Sequence, residues 1–231
     1  MKKLCWIVPT RDRIDDLDKF LKSFMKNNTF SDLYVIIDED DLKSINFATE
    51  QKTNGLVNDK VNFVINNIDF DGAFLHILNH YALSFVDRYK YIGFLEDDCV
   101  IMTKNFDSYI VDREENVIYL NDKETQPAIY AGIPIIKSEI VKQLGYYSPP
   151  ELRCLWADCY WKCLGDMTNS IKFLKNVIVK HEHYSFDNNK KQQDAIGKRI
   201  EEIGHEDYIS WRNNKDKFLN HIKRVLIENR D

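Results

Sequence analysis

The stretch that most constrains this chain is Tyr91 to Leu95, an apolar, strand-like run that ends in three consecutive carboxylates, Glu96-Asp97-Asp98. Adjacent anions repel one another and are costly to desolvate. A fold that places them at the tip of a buried strand neutralises them with a hard cation, and such a cation can in turn hold phosphate oxygens. The ordinary alternative is a solvated acidic turn. Against it stands Cys99-Val100-Ile101, an apolar flank that draws the carboxylates toward the interior. An acidic cluster carrying a divalent metal and a nucleotide diphosphate is therefore the leading expectation.

The pattern before the cluster alternates between strand and helix. Leu4 to Val8 predicts a strand ending at Pro9-Thr10, followed by a helix marked by Ile14, Leu17, Leu21, Phe24 and Met25, with Asp12 as its cap. Leu33 to Ile37, ending at Asp38, and Val61 to Ile65 predict two more strands, with a polar, partly helical segment between them. Phe74, Ile77, Leu78, Tyr81, Ala82 and Phe85 mark one face of a helix that leads into the Tyr91 strand. Such alternation predicts an α/β fold with a mixed, mainly parallel central sheet.

Beyond the cluster, strands are expected at Val117 to Leu120 and around Ala128 to Ile136. A short helix from Ser138 should stop at Gly145. Pro149-Pro150 requires a loop. Helical spacing from Trp156 to Leu164 runs up to Gly165, and Val177 to Val179 reads as a strand leading into His181-Glu182-His183. The remainder reads as two polar amphipathic helices. No repeat or linker divides the chain, which predicts one domain over 1–185 and a helical extension over 186–231 packed on it.

Composition narrows the classes. With 231 residues, 44% of them hydrophobic, the chain can bury a full core. A formal charge of -5 argues against tight nonspecific nucleic-acid binding, which rests on a basic excess. No stretch approaches the roughly 18 to 20 apolar residues that span a bilayer, and no signal-peptide core follows Met1, so a cytoplasmic location is expected. Five cysteines without a Cys-x-x-Cys pair suggest reduced core thiols.

In open α/β sheets ligands bind at the carboxyl ends of strands, and Thr10, Arg11, Asp38 and the 96–98 cluster all fall at such ends. Asp38 could accept hydrogen bonds from a base or ribose, or simply cap a helix. His181 and His183, two apart after a buried strand, could complete an oxygen-rich metal shell, or be packed or surface residues. Asp158, near the start of its helix, could take a proton from a hydroxyl or merely pair with Lys162 four residues on.

Taken in order, these pieces resemble the GT-A fold glycosyltransferases, closest to the inverting family 2-like enzymes and the small glycosyltransferases of bacteriophages and some bacteria. The resemblance rests on Ile7-Val8-Pro9-Thr10-Arg11, on Tyr91 to Asp98 at the Asp-x-Asp position, and on Gly145 to Pro150 followed by Leu155 to Trp161. It ends with Val177 to His183 and spans about residues 4–185. It implies that Pro9, Thr10, Arg11 and Asp38 frame the nucleotide, and that Glu96, Asp97 and Asp98 hold ribose and metal-diphosphate, with Asp98 on the metal. His183, and after it His181, would be the downstream ligand, and Asp158 the catalytic base. The implied cofactor is Mn²⁺ or Mg²⁺, and the implied donor a nucleotide-diphosphate sugar, UDP-sugars first. The acceptor would be a hydroxyl of a polysaccharide, a small molecule or a modified DNA base; for a phage-encoded chain the site of action would be the host cytoplasm. Two rivals stand beside it. A nucleotidyl- or phosphoryl-transfer enzyme would need a glycine-rich phosphate loop, for which eight glycines offer no Walker-type pattern. A non-catalytic sugar-nucleotide or partner-binding module would keep the fold without the base.

Overall fold

The computed structural model describes residues 1–182 and 195–228, the side chains of 195–201 excepted. The strands are β1 (Lys2–Thr10), β2 (Asp32–Asp38), β3 (Val61–Asn66), β4 (Tyr89–Phe94), β5 (Cys99–Ile101), β6 (Val117–Asn121), β7 (Ile133–Lys137) and β8 (Ile171–His181). The helices are α1 (Ile14–Asn27), α2 (Leu42–Thr53), α3 (Phe74–Phe85), α4 (Ser138–Leu144), α5 (Ala157–Met167) and α6 (Ala195–Ile222), the last continued by a π-helical turn at Lys223–Glu228.

One sheet runs in the order β3-β2-β1-β4-β7-β6-β8-β5. The first four in that order are parallel, β7 is antiparallel to β4 and β6, β8 is parallel to β6, and β5 closes the edge antiparallel to β8. The sheet is thus mixed and mainly parallel, as the alternation of runs predicts. Both faces are covered. In β1, Cys5 and Ile7 face a core shared with α3, α5 and α6, while Leu4, Trp6 and Val8 face a second core built on α1. Such two-sided burial makes β1 and β2 nearly continuous apolar runs, which is why the sequence exposes them so plainly.

Six expectations need correction. Asp12 does not cap α1; it takes a left-handed conformation (φ 56°), its N–H donates to the Asp41 carboxylate, and its own carboxylate pairs with Lys43 at 2.9 Å. The strand expected around 128–136 begins only at Ile133. Helix α5 runs past Gly165 because that residue serves contact, not termination: a Cβ there would lie 2.6 Å from the Ile171 side chain of β8. Among the described residues the C-terminal region is a single long helix where two are expected. The strand read at Val177 to Val179 begins already at Ile171, because its first half is interrupted by exposed Lys172, Lys175 and Asn176. Strand β5, three residues long, is in addition unanticipated. Gly145 does end α4, in the left-handed conformation that favours glycine (φ 78°).

Candidate functional site

The parallel strands deliver their carboxyl ends to one rim. Thr10 at the end of β1 donates its hydroxyl to the Asp97 carboxylate at 2.7 Å. The Arg11 guanidinium grips the Asp40 carboxylate with two bonds of 2.7 Å and reaches Asp38 at 3.0 Å. Asn66, at the end of β3, donates its amide to the other Asp38 oxygen at 2.8 Å. Asp38 therefore lies in a side-chain network across the rim, and the cap of α2 is Asp41 instead, whose carboxylate accepts from the Ser44 N–H.

Between these residues lies a cavity of about 700 Å³. Pro9, Thr10, Arg11, Asp38, Glu96 and Asp97 all line it, with Ile36, Phe74 and Phe94 as apolar wall. Eight lining residues are acidic and only Arg11 and Arg13 are cationic. Arg13, which sequence reasoning passed over, stands 3.5 Å from Asp97 and 3.6 Å from Asp98. Its signal is its place two residues after Arg11, at the same strand end. Asp97 is 5% exposed, and burial pushes its carboxyl up to about 7, with Arg13 opposing and Asp98 adding to the shift.

The acidic cluster meets its histidine through the unanticipated strand. Cys99, the residue after Asp98, pairs with His181 in the antiparallel β5–β8 ladder, and the Glu182 N–H donates to the Asp98 carbonyl at 3.0 Å. This register lays the imidazole on the carboxylates. His181 Nε2 is 3.0 Å from Asp98 and 3.2 Å from Glu96, and Nδ1 is 3.9 Å from Glu124. Burial alone would lower the histidine's pKa, but the Glu96 and Asp98 carboxylates outweigh it and hold the ring's proton affinity well above its ordinary value. Glu124 is a second residue the sequence left unmarked, and burial raises its carboxyl in turn.

One ligand atom each from Glu96, Asp98 and His181 lies within 4.8 Å of the others. The cluster divides by direction: Glu96 and Asp98 reach His181, Asp97 reaches Thr10, and Arg13 stands beside both Asp97 and Asp98. His183 lies outside the described residues.

Asp158 is apart from the cavity lining. It sits in the first turn of α5, where a carboxylate is favoured by the helix dipole, behind Trp156 held in the left-handed conformation (φ 70°). Its carboxylate accepts from the Cys159 N–H at 2.8 Å, and burial raises its pKa above the ordinary carboxylate range. The pair with Lys162 is not formed, because Lys162 instead bonds both oxygens of Asp166 at 2.7 and 2.5 Å.

The fold is similar to that of solved glycosyltransferases. TarS 1–349 from S. aureus in complex with UDP superposes with a TM-score of 0.59 at 14% identity, over 77% of this chain and 59% of that one. The mannosyltransferase PcManGT from Pyrobaculum calidifontis, in complex with GDP-Man and Mn²⁺, gives 0.56 at 13% identity over 97% and 74%. The catalytic domain of Drosophila β1,4-galactosyltransferase 7, in complex with xylobiose, gives 0.52 at 14% identity over 87% and 80%. The chain spans 59% and 43% of the lengths of the TarS 1–349 complex and the longer TarS structure. No protein-family model and no curated protein matches the sequence. At these identities the likeness establishes the GT-A fold.

Proposed function

We propose that this chain is a metal-dependent glycosyltransferase, moving a sugar from a nucleotide-diphosphate donor, UDP-sugars first, to an acceptor hydroxyl with inversion. The observation that carries the proposal is the junction of two features at one rim: a cavity of nucleotide size, and the Glu96, Asp98 and His181 donor atoms at its acidic end. The donor set suits a divalent cation. Two carboxylates and one imidazole make a mixed oxygen and nitrogen shell of the kind Mn²⁺ accepts readily and Mg²⁺ less so. Bound there, the metal would neutralise charge developing on the departing nucleoside diphosphate.

The protein's own groups supply the rest. Asp38, fixed from both sides by Arg11 and Asn66, presents acceptors to base or ribose. Asp97, tied to Thr10, holds the ribose side of the donor. Arg11 and Arg13 offset part of the phosphate charge in an otherwise acidic cavity. Asp158 takes the proton from the attacking hydroxyl as the new bond to the anomeric carbon forms and the bond to the phosphate oxygen breaks, on opposite faces of the sugar. Its raised pKa makes it a stronger base than an exposed carboxylate. UDP in TarS and GDP-Man with Mn²⁺ in the mannosyltransferase support a donor of this class.

Calorimetry tests the proposal. UDP or a UDP-sugar should bind in the presence of Mn²⁺ and lose most of its affinity in EDTA. His181→Ala should weaken Mn²⁺-dependent binding by roughly 10-fold to 100-fold, the scale of losses seen when a metal's protein support is removed. Donor affinity indifferent both to EDTA and to His181→Ala would dismiss the metal assignment. If His183→Ala is the damaging change and His181→Ala is silent, the ligand lies two residues further on.

A further inference from the structure

Helix α6 lies outside the nucleotide-binding strands, yet one of its faces is built onto the segment that leads to Asp158. The centre of that face is Asp207. Its carboxylate is buried, 1% exposed, and accepts three consecutive backbone N–H groups: Arg153 at 2.9 Å, Cys154 at 2.6 Å and Leu155 at 2.7 Å. Burying a carboxylate is costly unless donors surround it, and three main-chain donors converging on one anion form a nest that no neutral side chain reproduces. The residue one turn before Asp207 and the residue directly after it serve the same segment. Gly204 leaves the space that Leu155 fills, since a Cβ there would come within 2.5 Å of the leucine methyl, and Tyr208 packs its ring on Trp156 at 5.0 Å.

The segment so held has two dependants. Arg153 accepts the Leu75 N–H at 3.0 Å through its carbonyl and bonds Asp71 at 2.7 Å through its guanidinium, so it braces the cavity wall at the start of α3. Two residues beyond Trp156 stands Asp158. Trp156 is strained, a non-glycine residue at φ 70°, and such a conformation persists only where its surroundings over-determine it.

We infer that Asp207 is the positioning residue of the active site: it fixes the 153–156 segment and, through it, the placement of Asp158. The inference rests on Asp158 being the base. It belongs to the class of contacts whose loss matters through geometry, because a displacement of about 1 Å at a reacting group can cost on the order of 10² in rate.

Two measurements on the full chain test it. Hydrogen exchange of Asp207→Ala should accelerate at the 153–155 amides and also across the first turn of α5 at residues 157–161, while the strands keep their protection. An α5 first turn as protected as in the wild type would overturn the inference. Kinetically, Asp207→Ala should lower kcat about 10-fold to 100-fold per folded molecule, and the same change in an Asp158→Asn background should cost less than about threefold. An equal loss in both backgrounds would mean general destabilisation and overturn the inference. Asp207→Asn, which keeps the shape but replaces one of the two acceptor oxygens by an NH2 that opposes a backbone N–H and removes the charge that all three donors share, should fall between the wild type and Asp207→Ala in both measurements. Should the wild-type protein transfer no sugar at all, the proposed function fails, and the exchange pattern still decides whether Asp207 holds the segment.

Discussion

Asp158 is a carboxylate kept at an expense to the fold. Its buried position raises its pKa, so in the pH range between the ordinary carboxylate value and the raised one the folded state binds more protons than the unfolded state. Stability therefore falls as pH rises through that window, and at neutral pH the ionised group is a net cost. Asp158→Asn removes the charge and keeps the shape. The expected outcome is a transfer rate lower by about 10² to 10⁴ with donor binding retained, and a melting temperature at neutral pH equal to or above that of the wild type. A lower melting temperature with an unchanged rate would mean the carboxylate is structural. The sequence made Asp158 visible as a candidate, but not its freedom from Lys162, because which of two carboxylates at i−4 and i+4 a lysine chooses depends on exposure. Asp166 is the exposed one and wins. Asp97 and Asp98 were legible as a pair for the opposite reason, since consecutive carboxylates at a strand tip must turn to different sides; their partners Arg13 and His181 depend on backbone course.

At the scale of elements, the placement of the site is a matter of register. His181 reaches Asp98 because β8 runs antiparallel to a three-residue strand, and a strand that short carries no periodicity for sequence analysis to find. Strands β1 and β2 were legible because burial on both faces leaves few polar interruptions, whereas β8, broken by exposed Lys172, Lys175 and Asn176, was legible only over Val177 to Val179. The ends of helices were less so: Gly165 has the composition of a stop signal and the role of a contact. Gly93 makes the same point within the strand that carries the acidic cluster. A Cβ at this position would lie 2.4 Å from two ring atoms of Trp6, which is wholly buried and stacked on Phe106 at 5.5 Å. The indole cannot retreat, so β1 and β4 must separate. Gly93→Ala should cost about 1–3 kcal/mol, the usual penalty of overpacking a core, measured by denaturant unfolding. It should also weaken Mn²⁺-dependent nucleotide binding, because Thr10 on β1 and Asp97 after β4 share the 2.7 Å bond that such a separation breaks. A variant as stable as the wild type would show that the strand pair is looser than this packing implies.

The molecule as a whole carries a formal charge of -5, and its cavity concentrates the excess, with eight acidic side chains against two arginines. A nucleoside diphosphate brings further negative charge into that space. At an effective dielectric near 20, two unit charges about 4 Å apart interact by about 4 kcal/mol, more than Arg11, already gripped by Asp40, can offset. Donor and metal should consequently bind as a linked pair, each raising the affinity for the other by the same factor. Binding that favours the folded state by mass action adds about 2.7 kcal/mol at a ligand concentration 100 times its dissociation constant. For a chain of 231 residues this corresponds to a rise in melting temperature of roughly 5 to 10 °C. The expected pattern in a thermal-shift experiment is a small shift with UDP alone, a small shift with Mn²⁺ alone, and a shift with both that exceeds their sum and vanishes in EDTA. His181→Ala should return the combined shift toward the sum of the separate ones, since it removes one of the three proposed metal ligands without touching the cavity lining. Strictly additive shifts in the wild type would mean that the two ligands bind without contact, and that the arginines alone carry the diphosphate.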